Sequence, residues 1–162
     1  MVVRLRFITD GMLGKLTRWL RMLGHNIKYS SSLDDKQLIK IAKKEHRILL
    51  TRDLNLYQQA MIQGTDAFLV EGSTEPEKLA NLAKKFNLKL EIDVAASRCP
   101  KCNTRIKPIS REKAIGKVPK TTSSFYDKFW ECPSCGQIYW QGAHWGRIRR
   151  TLEQAKQTSE PQ

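Results

Sequence analysis

The sequence predicts an α/β fold, with helices on both faces of a mostly parallel sheet, followed by a small cysteine-rich module. Over the first 93 residues, strand-like and helix-like hydrophobic patterns alternate, which is typical of βαβ crossovers in a parallel sheet. Residues 47–51 form a nearly all-apolar run, as expected for a strand buried on both faces. All four cysteines lie beyond residue 97, where this alternation has ended.

Each expected element has a local signal. The first strand alternates apolar and polar residues and ends at the turn pair Asp10-Gly11, and leucines at helical spacing precede Gly24 in the first helix. Ser32-Leu33-Asp34-Asp35 resembles a capping box, which predicts the start of the second helix. In chain order we expect a strand at 2–8, a helix at 13–23, a strand at 26–29, a helix from about residue 35, a strand at 47–51, a helix at 56–63, a strand at 67–70, a helix at 76–86 and a strand at 88–92.

The change of pattern predicts a first domain at residues 1–95, a second at 96–150 and a polar, frayed tail at 151–162. The chain carries a formal net charge of +13, of which residues 1–97 contribute +5 and residues 98–162 contribute +8. A surplus of this size favours an anionic partner, most commonly nucleic acid, although a basic and solvated surface gives the same count.

The composition also excludes some classes of protein. Hydrophobic residues make up 40% and charged residues 28%, so the chain can bury a core. No apolar run approaches the roughly 18 residues that span a bilayer, and no signal peptide opens the sequence. We therefore expect a cytoplasmic protein with no membrane partner.

The four cysteines predict a zinc site. Cys99-Pro-Lys-Cys102 and Cys132-Pro-Ser-Cys135 are matched C-P-x-C pairs separated by 29 residues. Each pair can supply two thiolates from one tight turn, and four thiolates complete the tetrahedron of a structural Zn²⁺ with no open position. The alternatives are disulfide bonds, which do not suit a chain without a secretion signal, and a redox pair, which needs only one C-x-x-C.

The cysteine-rich module is also basic and aromatic. Seven basic residues lie between Arg105 and Lys128, and seven aromatic residues lie between Phe125 and Trp145. A basic loop with exposed rings is typical of a nucleic-acid-binding surface, whereas the alternative is that the rings pack within the protein. The nucleic-acid contacts expected from this module are Lys117, Lys120, Trp140, His144 and Trp145.

Acidic residues follow two of the expected strands and begin a helix. Asp10 ends the first strand, Asp53 ends the all-apolar strand, and Asp34 and Asp35 start the helix after the second strand. The carboxyl ends of parallel strands meet in one crevice, where converging carboxylates favour Mg²⁺ or Mn²⁺. Such a site activates water and stabilises a phosphodiester transition state. The same residues are also ordinary in turns and in first helical turns, so spacing leaves both interpretations open.

Several stretches resemble the PIN-like ribonucleases known as the mut-seven C-terminal domain family. The opening, residues 7–24, reads F-x-x-D-x-M-L-G-K-L-x-R-W-L-R-x-L-G. D-x-x-L-x-x-I-A at 35–42 and R-I-L-L-T-R-D at 47–53 follow, and Y-W-x-G-x-H-W at 139–145 matches the family's close. The two cysteine pairs resemble its zinc ribbon. This resemblance covers nearly residues 3–150 and implies a PIN-like three-layer α/β/α fold, a small four-cysteine zinc ribbon and metal-dependent cleavage of RNA.

Carried over residue by residue, the resemblance places Asp10, Asp35 and Asp53 in an acidic cluster that binds catalytic Mg²⁺ or Mn²⁺. Asp34 lies beside a matching position and can substitute or assist. PIN nucleases often have a fourth acidic residue, and the nearest candidate, Asp66, is expected in a loop before a strand.

Basic residues near the acidic cluster are candidates for phosphate contacts. Lys15, Arg18 and Arg21 are spaced by threes on the helix that begins next to Asp10, and Arg52 directly precedes Asp53. The alternative is that they are solvated residues on an amphipathic helix.

Three functions remain open. The first is a metal-dependent endoribonuclease whose zinc ribbon helps to bind RNA, and the second is a non-catalytic RNA-binding adaptor with the same fold. Asp10, Asp35 and Asp53 together favour the first, because an adaptor has no reason to retain mutually repelling acids. A nuclease or phosphatase acting on DNA is a third. The expected partner is structured RNA, such as ribosomal or transfer RNA, and the oligomeric state stays open.

Overall fold

The computed structural model describes residues 4–160 and contains two sheets. The larger sheet has four strands in the order β2-β1-β3-β4, and all of its pairings are parallel. Its strands are β1 (Arg6–Thr9), β2 (Asn26–Tyr29), β3 (Ile48–Thr51) and β4 (Ala67–Leu69). The predicted strand at 2–8 begins outside the described residues.

Helices connect and cover these strands. A short 3-10 helix (Gly11–Leu13) leads directly into α1. The helices are α1 (Gly14–Met22), α2 (Asp35–Glu45), α3 (Leu54–Ile62), α4 (Glu75–Phe86), α5 (Arg111–Ala114), α6 (Lys120–Phe125) and α7 (Trp145–Ser159). Between residues 4 and 160, every helix is too short or too polar to span a bilayer.

The sheet separates two hydrophobic cores, which confirms the predicted three-layer arrangement. Because neighbouring side chains on a strand point to opposite faces, Phe7 and Leu50 pack on one side and Ile8 and Leu49 on the other. The first core includes residues of α1, α4 and α7, and the second includes residues of α2 and α3.

The cysteine-rich module contains the second sheet. Strands β5 (Lys107–Ile109), β6 (Phe129–Glu131) and β7 (Ile138–Tyr139) pair antiparallel in that order. Its own core is small and centres on Ala114, Phe129 and Ile138. A core of this size favours a metal as an additional source of stability.

Two sequence predictions about the end of each unit are wrong. No strand forms at residues 88–92, although Leu90 is buried in the first core. The alternation of leucines there reflects packing against that core without pairing to the sheet. Residues 151–159 are helical and not a frayed tail, because Leu152 and Ala155 of α7 are buried in the same core. The limits of the two expected domains stay predictions.

The start of α2 differs from the predicted capping box by two residues. Asp34, and not Ser32, is the N-cap residue, and its Oδ1 accepts a hydrogen bond from the amide of Gln37 at 2.8 Å. The Gln37 side chain accepts in return from the amide of Asp34 at 2.9 Å, which completes a capping box.

Polar contacts join the cysteine-rich module to the edge of the parallel sheet. The amide of Ile27, in edge strand β2, donates to the side chain of Asn103 at 3.0 Å, and Asn103 donates to the side chain of Asn26 at 2.9 Å. Asn103 follows the first cysteine pair, so that pair covers the open edge that an edge strand otherwise exposes. The two units are therefore attached to each other well beyond their covalent link.

Candidate functional site

Two predicted carboxylates lie at the carboxyl ends of adjacent strands. Asp10 follows β1 and Asp53 follows β3, and the register pairs Thr9 with Leu50. This register places Asp10 beside Thr51, the last residue of β3. The two acidic segments therefore lie side by side at the carboxyl ends of β1 and β3.

Thr51 connects the two acidic segments. Its hydroxyl donates to Oδ2 of Asp10 at 2.5 Å and accepts from the amide of Asp53 at 3.0 Å. Oδ1 of Asp10 accepts from the amide of Met12 at 2.9 Å, and Asp10 is only 8% exposed. These bonds fix the carboxylate of Asp10, which keeps acceptor capacity because each carboxylate oxygen has two lone pairs.

Asp53 has a second role as the N-cap of α3. Its Oδ1 accepts from the amides of Asn55 at 2.8 Å and Leu56 at 3.2 Å, whereas Oδ2 takes no part in the cap. The side chain is exposed, so a cation and its waters can reach it.

The loop after β2 lies against the start of the acidic segment. The hydroxyl of Tyr29, the last residue of β2, donates to the carbonyl of Gly11 at 3.0 Å. A Cβ on Gly11 would stand 3.2 Å from Cα of Ser31, so a larger residue there would press on this loop. The loop leads to Asp34, which caps α2, and to the half-buried Asp35 in the first turn.

The acidic residues are less tightly assembled than the cysteines. Within residues 4–160, only the four cysteines form a group of at least three metal-ligating side chains whose ligand atoms all lie within 4.8 Å. The donor set of Asp10 and Asp53 nevertheless fits a hard divalent cation, because Mg²⁺ is usually held by one or two carboxylates together with waters and substrate phosphates. Asp66 precedes β4 and therefore lies at the amino ends of the strands, away from Asp10 and Asp53. It is not a fourth member of the acidic cluster.

The cysteine Sγ atoms form a compact cluster that could bind zinc. The Cys99–Cys135 and Cys102–Cys132 Sγ distances are 3.7 and 3.2 Å, and neither pair forms a disulfide. Zn–S bonds of about 2.3 Å in a tetrahedron separate the sulfurs by about 3.8 Å, which the Cys99–Cys135 distance matches, whereas the Cys102–Cys132 distance is shorter. The donor set therefore fits Zn²⁺.

The two cysteine pairs have the same local geometry. Asn103 and Gly136 follow them with φ of 75° and 77°, and the amide of each donates to the carbonyl of the first cysteine of its pair at 2.8 Å. The hydroxyl of Tyr139 lies 3.0 Å from Sγ of Cys99, and burial followed by this contact raises the pKa of Tyr139. Tyr139 therefore stays protonated beside the cluster.

Arg21 was predicted to contact RNA, but it is a buried structural residue. Its Nε and Nη2 donate to the carbonyl of Ile27 at 3.1 and 2.8 Å, and its Nη1 donates to the carbonyl of Pro100 at 2.9 Å. Burial lowers the pKa of this guanidinium from its usual range. Arg21 thus links α1, the edge strand and the first cysteine pair.

The other predicted basic contacts lie at the surface. Lys15 and Arg18 are exposed and border a groove that also contains Glu75 and Gln154. Arg52 donates to the carbonyls of Val70 and Gly72. Lys117 pairs with Glu131 at 3.1 Å, whereas Lys120 is exposed at the first residue of α6. Their roles as RNA contacts stay predictions.

The predicted aromatic contacts line a cavity of about 180 Å³ where the cysteine-rich module meets the sheet domain. Trp140 and Trp145 are half-buried, and His144 is exposed. Trp140 also packs against the core of the module, with its ring centroid 6.4 Å from that of Phe129. Packing therefore accounts for part of each tryptophan surface, and an RNA-binding role for the three residues stays a prediction.

The sequence analysis did not predict the hydrogen bonds that Thr51, Tyr29 and Asn103 form at these sites. A signal existed for Thr51, which is the last residue of the all-apolar strand, two positions before Asp53. The Tyr29 and Asn103 contacts join segments distant in sequence, and no local pattern predicts them.

A three-layer α/β/α fold with carboxylates at one sheet edge, joined to a four-cysteine module, is consistent with a PIN-like domain that carries a zinc ribbon. Residues 5–152 match the family model of the Mut7-C RNAse domain, and the chain belongs to this family. The match includes the parallel sheet, the cysteine-rich module and the first half of α7. Neither the curated proteins nor the solved structures contain a match to the chain. The family indicates a ribonuclease-type function with RNA as substrate.

Proposed function

We propose that the protein is a metal-dependent endoribonuclease that hydrolyses RNA phosphodiester bonds at the carboxyl edge of its parallel sheet. The observation that carries this proposal is the Thr51 hydroxyl, which bonds Oδ2 of Asp10 and the amide of Asp53. It holds the acidic segments of two adjacent strands in one fixed arrangement, within a chain of an RNase-domain family.

In this proposal Asp10 and Asp53 are the principal ligands of Mg²⁺ or Mn²⁺, and Asp35 completes the cluster from the first turn of α2. Asp34 is committed to its helix cap and assists only by adding negative charge. When bound, the divalent cation supplies an activated water and stabilises the charge of the phosphodiester transition state.

The chain's own residues orient the reacting groups. Thr51 and the amide of Met12 each donate to a different oxygen of Asp10, so the carboxylate is held in one orientation. The exposed Lys15 and Arg18 lie on α1, which begins four residues after Asp10, and we assign them to phosphates beside the cleaved bond. The basic zinc ribbon contributes further RNA affinity, with Lys120 as one contact.

One observation favours the non-catalytic adaptor as a second candidate. Asp34 and Asp53 both serve as helix caps, and capping alone is a sufficient reason to keep an acid at either position. An adaptor with this fold would bind RNA without a requirement for divalent cations.

The test is cleavage of a mixed RNA pool, and of DNA strands of matched sequence, with and without Mn²⁺ or Mg²⁺. The proposal predicts cation-dependent cleavage of RNA that falls by about three orders of magnitude in Asp10→Asn, since a catalytic metal contributes several kcal/mol. Asp66→Asn is the matched control, because Asp66 lies at the opposite sheet edge. RNA binding without cleavage in wild-type protein would favour the adaptor, and cleavage of DNA in preference to RNA would contradict the proposed substrate.

A further inference from the structure

A charged cleft lies at the amino ends of the parallel strands, opposite the acidic residues. It has a volume of about 710 Å³ and is formed by the amino ends of β1 and β2, the residues after α4, and the chain leading to the zinc ribbon. We refer to it as the cationic cleft. Its basic side chains are Arg4, Arg6, Lys89, Arg98 and Arg105.

The charges of the cationic cleft are not balanced within the described part of the chain. Asp93 is the one acidic residue among the described residues that line it, and none of the five basic side chains forms an ion pair within residues 4–160. Like charges that share a cavity repel one another, and an anion in the cavity removes this cost. The cleft therefore has the charge expected of an anion site.

Arg98, which lines this cleft, has one side-chain nitrogen without a hydrogen-bond partner. One of its terminal nitrogens donates to the carbonyl of Asn103 at 2.9 Å, but its Nε is buried without a hydrogen-bond partner. A buried donor without a partner costs free energy. His25 also lines the cleft, where burial and then Arg98 lower its pKa, so it stays neutral at pH 7 and adds a polar group without adding charge.

We propose that the cationic cleft is a phosphate-binding site, which the backbone of the RNA occupies at a distance from the cleaved bond. The choice of RNA as the source of phosphate rests on the proposed function, whereas the phosphate site itself rests on the cavity and its unbalanced positive charge. Five basic side chains around one cavity suit an anion with several charges better than a single carboxylate.

The cationic cleft and the acidic site lie at opposite ends of strand β1. Arg6 begins β1 and Asp10 directly follows that strand, so four residues, or about 13 Å of extended backbone, separate them. An RNA that fills both sites passes around or along the sheet and has to be longer than a few nucleotides. We therefore expect the cleavage of short oligonucleotides, which cannot reach both sites, to be insensitive to changes in the cleft.

The experiment measures binding without relying on cleavage. A labelled single-stranded 12-nucleotide RNA is titrated at several salt concentrations, without added divalent cations, against wild-type protein and the Arg4→Gln/Arg105→Gln variant. Both arginines are exposed and their side chains make no hydrogen bond within residues 4–160, so the fold should survive; circular dichroism and zinc content check it. Lys40→Gln/Arg149→Gln removes the same charge from exposed positions outside the cleft.

Each phosphate contact to a single strand contributes about 0.7 to the log–log salt slope, so loss of two contacts should reduce the magnitude of this slope by about 1.4. RNA binding should become roughly 25-fold weaker at 0.1 M salt. The control pair should keep the wild-type slope. If RNA binding is unchanged but inorganic triphosphate binds the wild-type protein and not the cleft variant, the cleft is a phosphate-binding site whose ligand is a free polyphosphate and not RNA. An unchanged affinity for both ligands, or an equal slope change in the control pair, would overturn the proposal.

Discussion

The four-cysteine site and the acidic site differ in how far the folded chain alone assembles them. The cysteine ligand atoms all lie within 4.8 Å of one another, whereas Asp10 and Asp53 are joined only through Thr51. A structural Zn²⁺ needs four protein ligands, while Mg²⁺ or Mn²⁺ keeps waters and accepts substrate phosphates. We therefore expect the first metal to be part of the ribbon's fold and the second to be completed by RNA.

The largest effect should come from breaking the zinc cluster. Cys132→Ser should abolish bound zinc and unfold the ribbon, because structural zinc contributes on the order of 10 kcal/mol in finger peptides and the ribbon core is small. Metal analysis and near-ultraviolet circular dichroism measure both effects. Ser134→Ala, between the cysteines of the same pair, is the control and should keep one zinc per chain. Wild-type protein prepared without chelator and containing no zinc would refute the assignment.

The attachment between the ribbon and the sheet gives the next largest effect. Arg21→Met keeps an unbranched apolar stem but leaves the carbonyls of Ile27 and Pro100 without their donor. We expect the free energy of unfolding to fall by about 3 kcal/mol, since hydrogen bonds from charged groups are strong and their loss leaves buried acceptors unpaired. Denaturant unfolding measures this change, and the exposed Arg18→Met should lie within about 0.5 kcal/mol of wild type. Equal effects of the two substitutions would show that Arg21 is not a structural link.

A smaller effect is expected from the ribbon surface. Lys120 and Lys128 are exposed and form no ion pair within the described residues, unlike Lys117. Lys120→Gln/Lys128→Gln should weaken RNA binding roughly tenfold and lower the salt slope by up to about 1.4, while zinc content and the divalent-cation requirement for cleavage stay unchanged. Lys40→Gln/Lys84→Gln is the charge-matched control on α2 and α4. If both pairs act alike, the ribbon charge is only a solvated surface.

The smallest effect concerns an ion-pair cluster at the amino edge of the sheet. Hydrogen bonds from Lys28 and then Arg47 lower the pKa of Glu45 to about 2. Because this pKa is lower in the folded state, the stabilisation is complete above the unfolded value of 4.5 and is lost as pH falls towards about 2. Glu45 is 31% exposed, so solvent limits the effect to about 1 kcal/mol. The free energy of unfolding is measured from pH 6 to pH 2. The pH-dependent contribution of Glu45 should be absent in Glu45→Gln and present in Glu71→Gln.

Much of the fold could be predicted because its signals are local. The all-apolar run before Asp53, the leucines before Gly24 and the two cysteine pairs each encode one element or turn, and the structure contains all three. Helix α7 also had a signal, since Ile148, Leu152 and Ala155 recur at helical spacing, but its polar composition obscured this pattern.

The remainder depends on contacts between distant segments. Nothing local distinguishes Arg21, buried against Pro100, from the exposed Arg18 on the same helix. The alternating residues 88–92 match a strand pattern, but whether they pair depends on the rest of the sheet. Likewise, the sequence predicted that Asp10 and Asp53 share one edge, whereas the Thr51 bonds that fix them follow from the register of β1 and β3.

Asp53→Asn separates the proposed role of Asp53 as a ligand of the catalytic cation from its role as a helix cap. Asparagine is as good an N-cap as aspartate, so α3 and the stability should be retained while the ligand charge is lost. We predict that Mn²⁺-dependent RNA cleavage falls by at least about 100-fold, with unfolding and RNA binding unchanged. Cleavage by Asp53→Asn at the wild-type rate, with contaminating nuclease excluded, would show that Asp53 is only a helix cap and does not hold a catalytic cation.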